Sequence, residues 1–219
     1  MNIDIVYDTV CPWCYIGKRR FEQALALRPH LSPTVRWRPF LLNPGMPEGG
    51  VDRNTYLIQK FGGEQRARTI YGAICTVGRS VDIDFAFERI ARTANSVNSH
   101  RFVLHAAEND RVDSAVEALF FAYFVSGRDI GKVSELVEIG TRLGLDATDL
   151  ERYLTGDEDV RLVYEEHARA HRLGVNGVPS FVFDGRVAIA GAHDPAVLAR
   201  VLDAAAQEGA DRGADAQPT

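Results

Sequence analysis

The pattern of apolar and polar positions changes character twice along the chain. Ile3 to Tyr7 lies in an alternating, β-branched run and reads as a short buried strand. From Pro12 the period lengthens. Cys14, Gly17, Phe21, Ala24, Leu25 and Arg28 fall on one side at three- and four-residue steps, and Pro29 ends the helix. Pro12 suits a first helical turn, where its missing N–H costs nothing. "TVRWRPFLL" (34–42) reads as a second strand with Pro39 near an edge or bulge, followed by a loop at 43–50. From Val51 to about His171 helical periodicity dominates, broken by Gly62-Gly63, 79–89, Gly127 and Gly156. Helices are predicted near 53–61, 64–78, 98–109, 113–125, 130–143, 147–155 and 157–172. Asn98 and Ser99 are candidate N-caps for the third of these and Asp129 for the fifth. Strand character then returns: 180–183 and 186–190 form a hairpin around Asp184-Gly185, a tight-turn pair. Asp194 caps a last helix with the stripe Val197, Leu198, Val201 and Leu202. After Gln207 the Ala, Gly, Asp and Pro content predicts a disordered tail.

The order strand, helix, strand, helical stretch, hairpin, helix predicts an α/β fold. A small mixed sheet is covered by helices and interrupted by a large all-helical insertion. The predicted division is a discontinuous domain of 1–50 and 172–206, a helical insertion at 51–171 and a tail at 207–219. Within 219 residues, 46% are hydrophobic and 25% charged, which suits a globular core. The net charge of −5 and the lack of a basic stripe argue against nucleic acid as a partner. No apolar run approaches the ~20 residues of a membrane helix, so no membrane partner is expected. The first residues show no signal-peptide pattern, so a cytoplasmic location is expected.

The candidate chemistry lies in "DTVCPWCYIGKRRFEQAL" (8–25). Three cysteines do not make a disulfide framework, and in a reducing compartment a CxxC pair is catalytic or metal-binding more often than structural. A zinc site needs four ligands. His167 and His171 have ligand spacing, but neither region resembles a zinc knuckle, so no metal is expected. Cys14 shares the apolar stripe of Phe21 and Leu25 and fits a buried core position. Cys11 does not, because it stands between a strand end and a helix start. Unpaired N–H groups and the helix dipole there favour an anion, the form in which a thiol attacks. Residues i and i+3 share a side, so Cys14 can close a disulfide onto Cys11. A CxxC between a strand and a helix reads as a thioredoxin-like redox motif.

"GVPSF" (177–181) supports this reading. A Val-Pro before a hairpin strand is where thioredoxin-like proteins place a cis-proline against the CxxC, with the Val178 backbone open to substrate. Together with "WRPFLLNPGMPEGG", "NSVNSHR" (95–101), "GVNGVPSFVFDGR" and "IAGAHDPAVLARVL", these motifs resemble the DsbA-like thioredoxin family, in particular its FrnE-like branch. The resemblance implies a thioredoxin-like fold with a helical insertion, Cys11 attacking, Cys14 resolving and Pro179 as the cis-proline. Leu41 and His193 depart from the family pattern at positions where a changed groove or thiol environment is expected. The branch is related to kappa-class glutathione transferases and hydroxychromene-carboxylate isomerases, which carry Ser where Cys11 stands.

The expected function is therefore a dithiol–disulfide oxidoreductase acting on a thiol- or disulfide-containing protein or small molecule. No cofactor is expected beyond the Cys11–Cys14 couple, with glutathione as a candidate co-substrate. The alternatives are a glutathione-dependent transferase or isomerase, and a chaperone-like binding module without redox turnover. Trp13, Val178, Asn95, Ser96 and His100 are candidate groove residues, and Asp8 a candidate proton relay. Cys75 is expected as a buried inert thiol, Tyr15 beside Trp13, and His105, His167 and His171 on the surface. The oligomeric state is open, a homodimer included.

Overall fold

The computed structural model describes the backbone of residues 1–215 and their side chains, those of 187 and 209–215 excepted. Strand β1 (Asn2–Tyr7) lies inside a four-stranded sheet and leads directly to helix α1 (Pro12–Ala26). β2 (Thr34–Pro39) returns parallel to β1, with Ile3 opposite Val35 and Tyr7 opposite Pro39. It is an edge strand, so Pro39 interrupts no inner ladder. The chain closes the sheet only after the helical region. There β5 (Ser180–Phe183) pairs antiparallel with β1, and β6 (Val187–Ala190) pairs antiparallel with β5. The strand order is β2-β1-β5-β6. The helix α9 (Pro195–Asp215) packs against α1, and Arg28 grips Asp203 through Nε and Nη2, both at 2.6 Å.

Between β2 and β5 run α2 (Arg53–Phe61), α3 (Glu64–Arg79), α4 (Val97–Ala107), α5 (Val112–Phe124), α6 (Val133–Arg142), α7 (Ala147–Thr155) and α8 (Val160–Arg172). A two-stranded ladder joins β3 (Val51–Asp52) to β4 (Arg92–Thr93) beside α2. α5 docks this region onto the sheet. Trp37 Nε1 on β2 donates to Asp113 Oδ1 at 2.8 Å, and Tyr15 on α1 stacks on Phe120 at 5.0 Å. Glu117 on α5 accepts from the Tyr15 hydroxyl at 2.8 Å, pairs with buried Lys18 at 2.9 Å and meets Arg19. Phe21 on α1 stacks on Phe181 of β5, so the same helix is also fixed to the sheet.

Several expectations are corrected. The stretch from 207, expected to be disordered, continues α9 as far as Asp215, and 216–219 lie outside the described residues. Ala is the strongest helix former, and the Ala-rich composition taken for a tail extends the helix. α4 begins after Ser96 rather than at Asn98 or Ser99. α6 begins after Lys132, while Asp129 Oδ1 accepts from Gly131 N at 3.2 Å in the preceding turn. Asp194 does cap α9, accepting from Ala196 N at 3.0 Å. His105 is buried rather than exposed, with Nε2 3.0 Å from Asp149 Oδ2. Tyr15, expected beside Trp13, packs its ring into the helical region against Phe85, Phe120 and Phe124.

Candidate active site

Cys11 is the N-cap of α1, in extended conformation with φ −97° and ψ 112°. A tight turn puts it there: its N–H donates to Asp8 O, and Cys14 N–H donates back to Cys11 O, both at 3.0 Å. The Cys11 thiol donates to Val178 O at 3.7 Å. The Val178–Pro179 peptide bond is cis. Gly17 makes the approach of this loop to α1 close, since a Cβ there would lie 2.7 Å from Pro179 Cγ. All three cysteines are free thiols. Cys14 is one helical turn further and 1% exposed. Burial pushes its thiol well above the ordinary range; the hydrogen bond with Cys11 and the charge of Cys11 add to this, and the Asp8 backbone opposes it.

Asp8 and His100 are both fully buried beneath this turn. Asp8 Oδ2 accepts from Leu42 N at 2.7 Å, while Oδ1 accepts from Val10 N at 3.4 Å and faces His100 Nε2 at 3.4 Å. That nitrogen also faces Phe40 O at 3.2 Å, so with two acceptors before it Nε2 bears the proton. His100 Nδ1 has no partner. Thr9 and Ser99 share a hydrogen bond of 2.6 Å, fastening the turn to α4. Burial pushes the neighbouring Tyr7 hydroxyl upward, with Asp8 and Cys14 adding.

A cleft of about 300 Å³ reaches Cys11. Trp13, Gly177 and Val178 line it from the sheet side, and Arg53, Tyr56, Lys60 and Tyr71 from α2 and α3. Trp13 is 38% exposed, and the Val178 carbonyl faces the Cys11 thiol. Asn95, Ser96 and His100, expected in the groove, do not line this cleft. Asn95 instead ties the 43–50 loop to α4, with Nδ2 donating to Met46 O at 2.7 Å and Oδ1 accepting from Val97 N at 2.9 Å. Ser96 is buried at the start of α4. Leu41 and His193, expected to alter the groove, do not line it either. Leu41 is in the core and donates its N–H to His167 Nδ1 at 3.2 Å; His193 closes the turn after β6 through Ala190 O. His167 is half-buried, packs with His171 over Phe40, and burial lowers its pKa, with His171 adding. Cys75 is half-buried rather than buried, its thiol 3.9 Å from Phe85 O, and burial raises its pKa.

The residues missed by the sequence are those of α2 and α3, which bear no motif. Arg101 of "NSHR" was also passed over. It is fully buried and donates to the carbonyls of Leu154 at 3.0 Å and Tyr153 at 2.5 Å, satisfying the end of α7.

A mixed sheet with a thiol at the start of its first helix, against a cis-proline loop and beneath a helical cover, is the architecture of a thioredoxin-fold protein. The chain belongs to the DSBA-like thioredoxin domain family, whose pattern matches residues 2–203, and the FrnE-like resemblance falls within it. It is similar to the crystal structure of a probable DsbA oxidoreductase from Streptomyces coelicolor: TM-score 0.88 and 29% identity over 95% of this chain and 91% of that one. The fold is shared with the cytosolic disulfide reductase DsbM of Pseudomonas aeruginosa, at TM-score 0.67 and 20% identity over 96% and 98% of the two chains. It is shared too with a 2-hydroxychromene-2-carboxylate isomerase, at TM-score 0.67 and 17% identity over the whole of both chains. The family fold supports thiol–disulfide oxidoreductase chemistry in general.

Proposed function

We propose that the protein is a dithiol–disulfide oxidoreductase in which Cys11 attacks and Cys14 resolves. The carrying observation is an asymmetry: Cys11 lines the cleft, whereas Cys14, one turn below, does not. The Cys11 thiolate attacks one sulfur of a substrate disulfide, forming the Cys11–substrate bond and releasing the other sulfur as a thiolate that takes up a proton. Cys14 then loses its proton and attacks the Cys11 sulfur, closing the protein disulfide and releasing the second substrate thiol. The substrate gains two electrons and the protein loses them; the reverse sequence oxidises a dithiol substrate. Asp8, buried beside the pair, serves as the relay for the Cys14 proton. Supporting a reducing, cytoplasmic setting is the fold shared with DsbM, itself a cytosolic disulfide reductase.

The hypothesis is tested with Cys14→Ser. Without the resolving thiol, the mixed disulfide at Cys11 accumulates when the reduced protein meets glutathione disulfide, and mass spectrometry finds it on the Cys11 peptide. Adducts confined to Cys75 would refute the assignment. Unimpaired turnover of Cys14→Ser would instead favour a glutathione-dependent transferase or isomerase, which needs no second thiol.

A further inference from the structure

The backbone just past β2 is held by side chains from three other elements. Phe40 O faces Nε2 of His100 on α4 at 3.2 Å, Leu41 N donates to Nδ1 of His167 on α8 at 3.2 Å, and Leu42 N donates to Asp8 Oδ2 in the thiol turn at 2.7 Å. All three side chains can titrate, but they are not equally reachable. Asp8 and His100 are fully buried, whereas His167 is half-buried and open to solvent on one side. A backbone N–H only donates, so Nδ1 of His167 accepts and the neutral ring carries its proton on Nε2. That bond exists only while the ring is neutral. A second proton would go to Nδ1 and set one donor against another. The amide of Leu41, a residue 2% exposed, would then have no acceptor, and a buried donor left unpaired is costly.

The surroundings of His167 work in the same direction. Its ring lies against Phe40 at 4.8 Å and edge-on to His171, one turn further along α8, at 4.6 Å. The titratable groups that act on it are His171 on its own helix, Asp8 from the turn and His100 from α4; Glu166 precedes it on α8 and is tied to Arg38 of β2 at 3.7 Å. Burial and the two histidines oppose a charge on His167, Asp8 favours one, and the balance lowers its pKa. We propose that His167 is a positioning residue for the resolving step: its neutral ring anchors Leu41 and, through the adjoining Leu42 amide, keeps Asp8 set beneath the thiol turn, so that protonation of one half-buried ring in weak acid releases the buried relay. This rests on Asp8 receiving the Cys14 proton in the dithiol cycle. In that step Cys14 gives its proton to Asp8 as its sulfur bonds to that of Cys11. The bond from Cys11 to the substrate sulfur breaks, and the substrate leaves as a thiolate that takes a proton from water. An ordinary histidine titrates at about pH 6.5. The support is therefore intact above that value and withdrawn as pH falls through the lower value of the folded ring.

The test compares the wild type with His167→Asn, whose Oδ1 stands in for Nδ1 as an acceptor and does not titrate. The reduced full chain is mixed with excess 2-hydroxyethyl disulfide, and closure of the Cys11 adduct by Cys14 is followed by rapid acid quenching and mass spectrometry. Dividing the two closure rates at each pH cancels what both proteins share, the thiols, Asp8 and His100 included. The ratio of wild type to variant is expected to be constant above about pH 7 and to fall at least about threefold by about pH 5. His171→Asn should leave this acid loss in place but start it at higher pH, since the ring that repels a charge on His167 is gone. A second measurement needs no variant. Protection of the Leu41 and Leu42 amides against hydrogen exchange, read by NMR on the wild type, should fall over the same range relative to that of Ile5 at the centre of the sheet. A ratio that does not change with pH, an acid loss abolished by His171→Asn, or unchanged Leu41 protection overturns the proposal. If the wild type closes Cys11–Cys14 at no pH, the dithiol cycle falls by itself, and the Leu41 protection still decides whether His167 holds this strip.

Discussion

Asp8 joins two tasks in one buried side chain. It accepts the Leu42 and Val10 amides, which holds the end of β2 against the turn that presents Cys11. It also lies within electrostatic reach of the Cys14 thiol, whose ionisation burial opposes. A thiol so placed needs a base at the moment it attacks, and a positioned acid–base group is worth about 10²–10⁴ in rate. Asp8→Asn is therefore expected to slow closure of the Cys11–Cys14 disulfide from the mixed disulfide by about 10²-fold, with a smaller effect on the first attack by Cys11. Rapid-mixing kinetics with thiol quenching separates the two steps. Equal slowing of both would assign Asp8 to turn geometry alone. Asp8 could be picked out in the sequence as a candidate for this role because it stands three residues before Cys11. His100 was legible as a motif residue but not as the buried partner of Asp8, since nothing in a chain separation of 92 residues announces that contact.

At the scale of elements, α1 is held from both sides. Phe21 faces Phe181 of the sheet, Glu117 of α5 holds Tyr15 and Lys18, and Gly17 meets the ring of Pro179. The last contact leaves no room for a methyl group. The Pro179 ring is rigid, so Gly17→Ala must displace the loop or the helix. It is expected to destabilise the protein by about 1–3 kcal/mol, the usual cost of overpacking, and to slow thiol exchange as Val178 moves from Cys11. Urea unfolding and Cys11 alkylation rates would check both; an unchanged pair would mean that the loop yields freely. These elements were readable because their periods are long enough to count. The helical boundaries at 53–61 and 147–155 and the strand at 180–183 follow from turn residues and apolar spacing. The β3–β4 ladder was not readable, because two-residue strands carry no period. Nor was the cleft wall: Arg53 is explained by Thr93 and Tyr71, which folding alone brings to it.

Across the whole molecule, burial acts on many acidic hydroxyls and thiols in one direction. It raises the pKa of Cys14, Tyr7, Tyr15, Tyr71, Tyr123 and Tyr153 above their ordinary values. Each such group holds its proton in the folded chain at a pH where the unfolded chain has released it. The folded state then binds more protons, and linkage makes stability fall as pH rises. The contribution is intact below the unfolded value and is lost on the way up to the folded one. Thiols begin this at about pH 8.5 and tyrosines at about pH 10, which opens a window in which Cys14 acts without the tyrosines. Between those values the reduced protein is expected to lose up to about 1.4 kcal/mol per pH unit through Cys14. Cys14→Ala should remove most of that slope while keeping Cys11, the remainder coming from half-buried Cys75, whose pKa burial also raises, and above about pH 10 both proteins should fall steeply together as the buried tyrosines follow. Urea denaturation of the two reduced proteins from pH 7 to 10.5 measures the difference. Parallel curves below pH 10 would show that the Cys14 thiol ionises in the folded chain as readily as in the unfolded one, and burial would then not be what keeps the resolving thiol protonated until its turn in the cycle.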